Sequence, residues 1–273
     1  METLVLKFGG ASVSNPEKFL QIADIIIERS KEYPQIVVVV SAMGDTTDHL
    51  LELSQKIHPN PPKREQDMLV SAGERISASL LAMALYNKGK EAISFTGSQA
   101  GVITCARHSE ARIVEVRPHR LIPHLKNQRV VIVAGFQGMG LNGEITTLGR
   151  GGSDTSAVAL AVSLEAAKVE FYKDVEGIYS QDPKVSKNAK KISLMSYDSA
   201  LEKVKGGDGV LHARAIELAK QNQIILQVLS YKKFSSNEKL PARGTFIGTS
   251  SKEKKSQFEI NFEESRLMES ICI

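Results

Sequence analysis

Several features that would restrict the function of this chain are scarce or missing. Its 273 residues include two cysteines, Cys105 and Cys272, which are far apart and belong to no C-x-x-C motif. This spacing argues against a disulfide framework and a zinc site, and it predicts two reduced thiols in a cytoplasmic protein. No apolar run approaches the ~20 residues of a membrane-spanning helix. The N-terminal residues METLVLKFGG show no basic and then apolar leader, so we expect neither a membrane segment nor a secretory signal.

The charge pattern is equally plain. The net charge is +4, and the lysines are scattered except in SSKEKKS near the C-terminus, with no basic stripe interleaved with aromatic residues. We therefore expect no nucleic-acid partner. A mildly positive field does suit small anionic molecules.

The common nucleotide-binding motifs are also missing. The sequence contains no G-x-x-x-x-G-K-[ST] loop and no H-R-D or D-F-G set, and GFQGMG (135–140) has the glycine spacing of a dinucleotide fingerprint in reverse. A nicotinamide-dependent dehydrogenase is therefore the least supported class. Any phosphoryl transfer must use a scaffold other than a P-loop or protein-kinase fold.

Short apolar runs alternate with helical patterns along the chain. Rich in Val and Ile and nearly unbroken, the runs read as strands of a sheet that is covered on both faces. Helices are predicted after Asn15–Pro16, after an N-cap at Asp67 and after the glycines at 151–152, and 56–66 and 105–113 are predicted loops. The pattern predicts an α/β fold, a three-layer αβα sandwich with an open, mainly parallel sheet. The predicted strands are residues 3–8, 35–42, 91–95, 129–136, 168–174 and 223–230.

Four glycine-containing turns follow predicted strands: KFGGAS, SAMGDTTD, GFQGMG and GRGGSD. Ligands of open α/β sheets bind at the carboxyl ends of the strands. Glycine lets the backbone approach an anion closely, and N–H groups at the start of a following helix attract negative charge. One such turn is weak support because strand-to-helix turns favour glycine in any case. Four turns at one sheet edge predict a phosphate site.

Two charged residues lie where apolar ones are expected. Lys7 is the last residue but one of the first strand, so its ammonium either reaches solvent at an edge or meets an anion. Glu74 falls on the apolar helical stripe of Val70, Ala78 and Leu81. Its carboxylate needs a cationic partner, which is either an internal salt bridge or the ammonium of a ligand.

Two more charged residues flank the glycines of GRGGSD. Arg150 has a planar fork of donors that suits a carboxylate, although a surface arginine needs no ligand. Asp154 near the start of the helix either stabilises the helix dipole or, in a phosphate site, orients a lysine such as Lys7 or a Mg²⁺ ion.

These segments resemble the catalytic domain of the aspartate kinases, which are members of the amino acid kinase family. LVLKFGGASVSNPEKF is similar to the opening K-F-G-G-T-S-V of that family. VVVVSAMGDTTDHLLEL, SAGERISASLLAMAL, ISFTGSQAGVIT and GFQGMGLNGEITTLGRGGSDTSAVALA follow its middle segments in order, and YKDVEGIYSQDPKV looks like its nucleotide segment. The resemblance covers about residues 4–248, and TTLGRGGSDT is its most specific part.

The resemblance implies ATP- and Mg²⁺-dependent phosphorylation of the side-chain carboxylate of L-aspartate to 4-phospho-L-aspartate, the first step of lysine, threonine and methionine biosynthesis. It implies a homodimer, and a catalytic domain over 1–249 with a substrate half (about 1–165) and a nucleotide half (about 166–249). Lys7 and Asp154 would be catalytic. The implied substrate residues are Ser41, Thr47, Glu74, Arg150, Gly151, Gly152 and Ser153. The implied nucleotide residues are Lys7, Phe8, Gly9, Gly10, Lys173, Asp174, Tyr179, Lys184, Gly209 and Val210; no residue is assigned to a metal.

The sequence departs from the family pattern at three places. Ala11 replaces the threonine after Gly-Gly. Gly209 occupies the place of a lysine that meets the nucleotide, and Ala213 replaces a proline. A tail, 250–273, stands where two regulatory ACT domains would begin, so we expect insensitivity to lysine and threonine. Two alternatives to an aspartate kinase stay open: a kinase of another acidic amino acid and, because of the loss at Gly209, a catalytically weak partner subunit.

Overall fold

A computed structural model of the chain describes residues 2–232, apart from 182, 184, 187 and 208, and residues 244–248. Lys184, Cys272 and the predicted tail, 250–273, lie outside the described residues. The helices are α1 (Pro16–Glu32), α2 (Thr46–Ile57), α3 (Lys63–Val70), α4 (Ala72–Asn87), α5 (Ile122–Lys126), α6 (Gly152–Ser163), α7 (Tyr197–Lys205) and α8 (Ala213–Gln221). The strands are β1 (Thr3–Phe8), β2 (Gln35–Val40), β3 (Ala92–Phe95), β4 (Val102–Thr104), β5 (Ile113–Val116), β6 (Val130–Ala134), β7 (Gln137–Gly140), β8 (Ile145–Thr147), β9 (Lys168–Lys173), β10 (Ile178–Tyr179), β11 (Lys191–Ile192), β12 (Leu194–Met195), β13 (Leu226–Ser230) and β14 (Thr245–Ile247).

The main sheet has eight strands within the described part of the chain, in the order β12-β14-β13-β9-β1-β2-β6-β3. Its pairs are parallel except β13 with β14, which are antiparallel. All six predicted strands are present, with ends shifted by at most three residues. The Val- and Ile-rich runs pair here because strands buried on both faces leave no place for alternating polar residues.

Helices cover the sheet on both faces. On one face, Leu6, Val38 and Ile132 of the strands pack in one cluster with apolar residues of α1 and α4. On the other face, Val5 and Val39 share a cluster with residues of α5, α6, α7 and α8. The predicted three-layer αβα sandwich is therefore confirmed. Helix α6 is buried from Gly152 to Val162, so it runs through the centre of the second face.

A second, four-stranded sheet with the order β5-β4-β7-β8 was not predicted. It corrects two interpretations of the sequence. The stretch GFQGMG is not a turn, because its residues Gln137–Gly140 form β7. GRGGSD follows β8 of this smaller sheet and not a strand of the main sheet.

The helical prediction around Asp67 is also corrected. Asp67 does not cap a helix, since it lies inside α3, and a separate helix α4 begins at Ala72. The predicted loop 56–66 is shorter than expected because α2 runs to Ile57 and α3 already starts at Lys63. The predicted loop 105–113 is irregular up to residue 112, and β5 begins at Ile113. The stretch Lys63–Asn87 is long and apolar enough to cross a membrane by length and composition alone, but 56% of its most apolar 18-residue window is buried within the protein. Its second helix, α4, packs on α1 and the sheet, as a core helix does.

Candidate active site

The carboxyl ends of four neighbouring strands open into a cleft of about 500 Å³, which we call the main cleft. Lys7 stands near the end of β1, Ser41 follows β2, Phe136 lies beyond β6 and Lys173 ends β9; all four line the cleft. The expected convergence of strand ends is therefore present. The main cleft is also lined by the predicted residues Thr47, Arg150, Gly151, Gly152, Ser153 and Asp154.

A carboxylate held between two lysines forms the charged floor of the main cleft. The ammonium of Lys7 lies 2.7 Å from Oδ1 of Asp154, and that of Lys173 lies 3.3 Å from Oδ2. Lys7 and Asp154 are both almost fully buried. The three groups carry a net charge of +1, so an anion entering here meets one uncompensated positive charge.

Burial and ion pairing shift the pKa values of Asp154 and Lys7. As a result the Asp154 carboxylate stays ionised in acidic solution. Burial alone would raise the pKa of Asp154, but the charges of Lys7 and Lys173 outweigh it and lower that pKa to about 2. Burial lowers the pKa of Lys7 below its ordinary value, with Asp154 opposing the shift and Lys173 adding to it. Lys7 is thus a desolvated cation whose partner is a permanent anion.

The turn between β8 and α6 presents Arg150 to the main cleft. Gly149 and Gly151 on either side have φ values of +72° and +69°, which glycine adopts without strain. A Cβ atom at Gly151 would lie 2.1 Å from Cγ of His212, so the turn is tight as well as left-handed. Arg150 is exposed, and the first residues of α6 line the cleft beside it. A guanidinium next to a helix N-terminus suits an anionic group.

Glu74 lies behind the wall of the main cleft. Its Oε1 accepts a hydrogen bond of 3.1 Å from the backbone N–H of Ala42, which follows Ser41. Its Oε2 is buried and has no hydrogen-bond partner among the described residues. Burial raises the pKa of Glu74 to about 7, although the Ala42 N–H and the charge of Lys7 oppose the rise. Glu74 therefore does not form the complete internal salt bridge that was one of its two alternatives, because one of its carboxylate oxygens is left without a partner among the described residues.

Asp67 is the principal site residue that sequence reasoning missed. Fully buried, it accepts hydrogen bonds from the backbone N–H of Ser109 (3.0 Å) and from the N–H and hydroxyl of Thr147 (3.2 and 2.6 Å). Nδ1 of His108 lies 2.8 Å from its Oδ2. Asp67 thereby joins α3, the 105–112 loop and the end of β8, three walls of the main cleft.

We expect Asp67→Asn to destabilise the protein by about 1–3 kcal/mol, because an amide nitrogen would face donors that now point at a carboxylate oxygen. Urea unfolding at neutral pH measures the change. Asp48→Asn is the matched control, since Asp48 lines the same cleft but is exposed, and its expected effect is within about 0.5 kcal/mol. Equal stability of the two variants would contradict the structural role of Asp67.

A smaller cleft of about 230 Å³, which we call the second cleft, is lined by residues that follow Lys173 in the sequence. Two predicted nucleotide residues, Tyr179 and Val210, line it together with Val175 and Gly207. Gly209 and Asp174 are not among its lining residues. Asp174 is exposed, and the ammonium of Lys232 lies 3.9 Å from its carboxylate.

The remaining predicted residues, Phe8, Gly9 and Gly10, lie at the end of β1. The Phe8 side chain is fully buried and stacks on Tyr172 with ring centroids 4.8 Å apart, so only its backbone is available to a ligand. Gly9 precedes a short 3₁₀ turn that starts at Gly10. A Cβ atom at Gly10 would lie 3.0 Å from the carbonyl oxygens of Ala42 and Gly44, so the first two glycine turns pack tightly against each other.

The fold agrees with comparisons to known proteins. The model of the Amino acid kinase family matches residues 2–230. The chain belongs to the amino acid kinase family. Among curated proteins, members of this family named aspartokinase match; that of Bacillus sp. (strain MGA3) is 51% identical over 230 residues, which are 84% of this chain and 56% of that protein.

Solved structures of amino acid kinases give the same result. The aspartate kinase from Synechocystis superposes with a TM-score of 0.79 at 42% identity, covering 94% of this chain and 42% of that chain. E. coli aspartokinase III in complex with aspartate and ADP superposes with a TM-score of 0.80 at 28% identity, covering 92% of this chain and 66% of that chain. The chain spans about half the length of the curated relatives it matches, as the 56% coverage of the Bacillus aspartokinase illustrates.

Proposed function

We propose that the chain phosphorylates the side-chain carboxylate of L-aspartate with ATP, giving 4-phospho-L-aspartate for lysine, threonine and methionine biosynthesis. The observation that carries this proposal is the main cleft, in which Lys7, Lys173 and Asp154 form a charged floor beneath the Arg150 turn. The aspartokinase relatives and the aspartate and ADP complex of E. coli aspartokinase III support it.

Two of the three charged groups of aspartate have a counterpart in the main cleft or directly behind its wall. Arg150 is exposed at the rim and suits the α-carboxylate. The ammonium of the substrate suits Glu74, whose second oxygen is unsatisfied. Ser41, Thr47 and Ser153 supply hydroxyls, while Gly151 and Gly152 allow the backbone close to the ligand. An N-acetylated substrate would lack the ammonium, so Glu74 argues against that class.

The reaction needs positioning and charge more than acid–base chemistry. One oxygen of the aspartate side chain forms a bond to the γ-phosphorus, and the bond from that phosphorus to the oxygen bridging it to ADP breaks. The nucleophile is a carboxylate that is ionised at pH 7, so no proton has to be removed. Lys7 and Lys173 neutralise the charge of the transferring group, and Asp154 holds both ammoniums in place.

The nucleotide half of the proposed catalytic domain, about 166–249, holds ATP. Tyr179 and Val210 line the second cleft for the nucleoside, with Asp174 beside it, and Gly9 and Gly10 offer backbone N–H groups to the phosphates. The substrate half is about 1–165. We place Lys184 in the nucleotide site from the resemblance alone.

Magnesium belongs to the proposed reaction as the partner of ATP, but the described residues do not fit a dedicated protein site for it. They contain no group of three His, Cys, Asp or Glu side chains that could hold a metal ion. The central carboxylate of the cleft, Asp154, is already paired with two lysines. Mg²⁺ commonly binds through substrate phosphates and water, so we assign it to the nucleotide and to no residue.

The direct test is formation of the acyl phosphate, trapped with hydroxylamine, from L-aspartate, ATP and Mg²⁺. L-Glutamate and N-acetyl-L-aspartate are the competing substrates. We expect hydroxamate from L-aspartate in large excess over both. Preference for another acidic amino acid would replace aspartate in the proposal. Nucleotide binding without turnover on any of the three would favour a partner subunit instead.

Gly209 is the observation behind that second candidate, because the family lysine is missing there. A Cβ atom at Gly209 would lie 2.8 Å from Cγ2 and 3.0 Å from Cα of Val204, so α7 would have to shift to admit a larger residue. Lys203 and Lys205 on α7 are neighbouring cations in sequence. Turnover by the unaltered chain would indicate that the lysine is dispensable in this protein.

The raised pKa of Glu74 predicts the pH dependence of substrate capture. Below about pH 7 Glu74 gains a proton and loses the charge that would pair with the substrate ammonium. We therefore expect kcat/KM for aspartate to fall about tenfold per pH unit below pH 7. Initial rates from pH 5.5 to 8.5 measure it.

Glu74→Gln is the matching variant. It keeps the shape and the Ala42 hydrogen bond but has no charge, so its kcat/KM is expected to be low and flat through this titration. Because burial raises the pKa of Glu74, its ionised form costs stability above pH 7, and Gln should stabilise the unliganded protein by about 1–3 kcal/mol at pH 8. Glu52→Gln, an exposed change on α2, is the control. A wild-type profile in Glu74→Gln would contradict the assignment.

We also infer that two copies pair and that the enzyme works in the cytoplasm. Ile76, Met83 and Tyr86 are exposed apolar residues at helical spacing on α4, which supports a self-contact. Light scattering after gel filtration tests the dimer.

A further inference from the structure

The start of α8 reaches from the second cleft to the Arg150 turn of the main cleft. Val210 lines the second cleft, and two residues later His212 forms the N-cap of α8. The ring of His212 lies against Gly151, where it leaves no room for a side chain. One short stretch of chain therefore touches both proposed ligand sites.

Arg214, in the first turn of α8, contacts the other side of the same turn. Its guanidinium donates to the carbonyl oxygen of Leu148 at 2.5 Å and to that of Ala111 at 3.0 Å. Leu148 comes directly before the glycine–arginine–glycine sequence at 149–151. Ala111 belongs to the 105–112 loop, which contributes Ser109 to the main cleft. Two planar N–H groups thus hold two separate segments together.

These two segments are joined to each other and to α3 by further hydrogen bonds. The N–H of Ala111 donates to the carbonyl of Thr147 at 2.9 Å, and Asp67 accepts from Thr147 and Ser109 on the opposite side. The base of the Arg150 turn is therefore fixed from α3 by Asp67 and from α8 by Arg214. Only the second of these connections comes from the nucleotide half.

We propose that Arg214 is a positioning residue that couples nucleotide binding to aspartate binding through the Arg150 turn. Nucleotide bound at Gly207 and Val210 restricts the motion of the start of α8. Arg214 then restricts the motion of Leu148 through its hydrogen bond to the Leu148 carbonyl oxygen. This inference rests on the proposed function. Coupling of this kind is reciprocal, so aspartate should tighten nucleotide binding by the same factor. Lysine cannot replace the arginine fully, because a single ammonium lacks the planar fork that spans two carbonyls.

The test compares the unaltered chain with Arg214→Lys and Arg214→Ala. Calorimetry measures the affinity for aspartate with and without a non-hydrolysable ATP analogue and Mg²⁺, and steady-state rates give both KM values. In the variants we expect the aspartate and ATP KM values to rise by a similar factor, about 5-fold or more, because lost coupling weakens each ligand in the presence of the other. The affinity of each ligand measured alone should change less than about 3-fold, and the coupling factor should fall toward one. Added guanidinium ion at non-denaturing concentration should partly restore the aspartate KM of Arg214→Ala.

Lys220→Ala is the matched control, since it removes an exposed cation from the far end of α8, where Lys220 pairs with Asp198. Variants that lose thermal stability or kcat but keep the aspartate KM and the coupling factor would show a purely structural arginine and overturn the inference. An unaltered chain that makes no hydroxamate from aspartate would instead refute the proposed function, so the two failures are distinguishable.

Discussion

Lys7→Met is expected to reduce kcat for acyl-phosphate formation by about 10²–10³-fold, the effect of removing one preorganised charged donor from a transition state. Methionine keeps most of the volume of the lysine stem and fits the end of a buried strand. The change removes the ammonium that lies 2.7 Å from Asp154, and Lys173 becomes the sole neighbour of that carboxylate in the charged floor. The floor then carries no net charge, so both the nucleotide phosphates and the transition state lose their attraction.

The hydroxylamine assay measures the loss of kcat, and equilibrium nucleotide binding measured alongside it separates binding from chemistry. Lys31→Met on the exposed face of α1 is the control for a lost surface lysine, with unchanged kcat expected. Activity within tenfold of wild type in Lys7→Met would assign the catalytic charge to another residue. In that case Lys173 is the next to be replaced, because it is the second cation on Asp154.

The main sheet could be predicted because each of its long strands is an apolar run that can be recognised from the local sequence. A run such as QIVVVV predicts a strand that is buried on both faces, and five of its six residues are buried as expected. The location of the candidate site at the strand ends followed from topology, since parallel strands bring residues such as Lys7 and Ser41 to one edge although they are far apart in sequence. Lys173, at the same edge, was implied by the family resemblance. Glu74 was predictable for the opposite reason, as a single charge within an apolar stripe.

The smaller sheet could not be predicted from local pattern. The strand Gln137–Gly140 reads QGMG, and glycine has low strand propensity. Its glycines are explained by packing against β4: a Cβ atom at Gly138 would lie 2.7 Å from Cγ2 of Thr104 and 2.8 Å from the carbonyl oxygen of Val102. This is a packing constraint from 34 and 36 residues away in the chain, and no local window contains it.

Asp67 and Arg214 escaped notice for a related reason. Asp67 looks like a helix cap in the sequence, yet its partners Ser109 and Thr147 are 42 and 80 residues away. The hydrogen bonds of Arg214 to Leu148 and Ala111 go to backbone carbonyls, which carry no sequence signal at all. Residues that contact a turn through its backbone become visible only when the fold is known, whereas Lys7 and Glu74 stand out in the sequence as charges in apolar surroundings.

Asp154→Asn is expected to lower the free energy of unfolding by about 3–5 kcal/mol at pH 7, because it leaves the buried ammonium of Lys7 without its counter-charge. The pKa of Asp154 is lowered to about 2, so its contribution is complete above pH 4 and is lost as the pH falls through 2. Urea unfolding at pH 7, 4 and 3 should therefore give a difference between wild type and variant that is constant to pH 4 and smaller at pH 3.

The double variant Lys7→Met/Asp154→Leu separates charge from packing. Replacing the whole pair by apolar side chains removes both the desolvation cost and the attraction, so we expect it to be more stable than Asp154→Asn although it is inactive. Asp198→Asn, at an exposed carboxylate paired with Lys220, is the control and should change stability by less than about 1 kcal/mol. A double variant less stable than Asp154→Asn would mean that Asp154 stabilises α6 by contacts other than its ion pairs. The charges of the floor would then contribute little to stability and would have to be explained by the reaction alone.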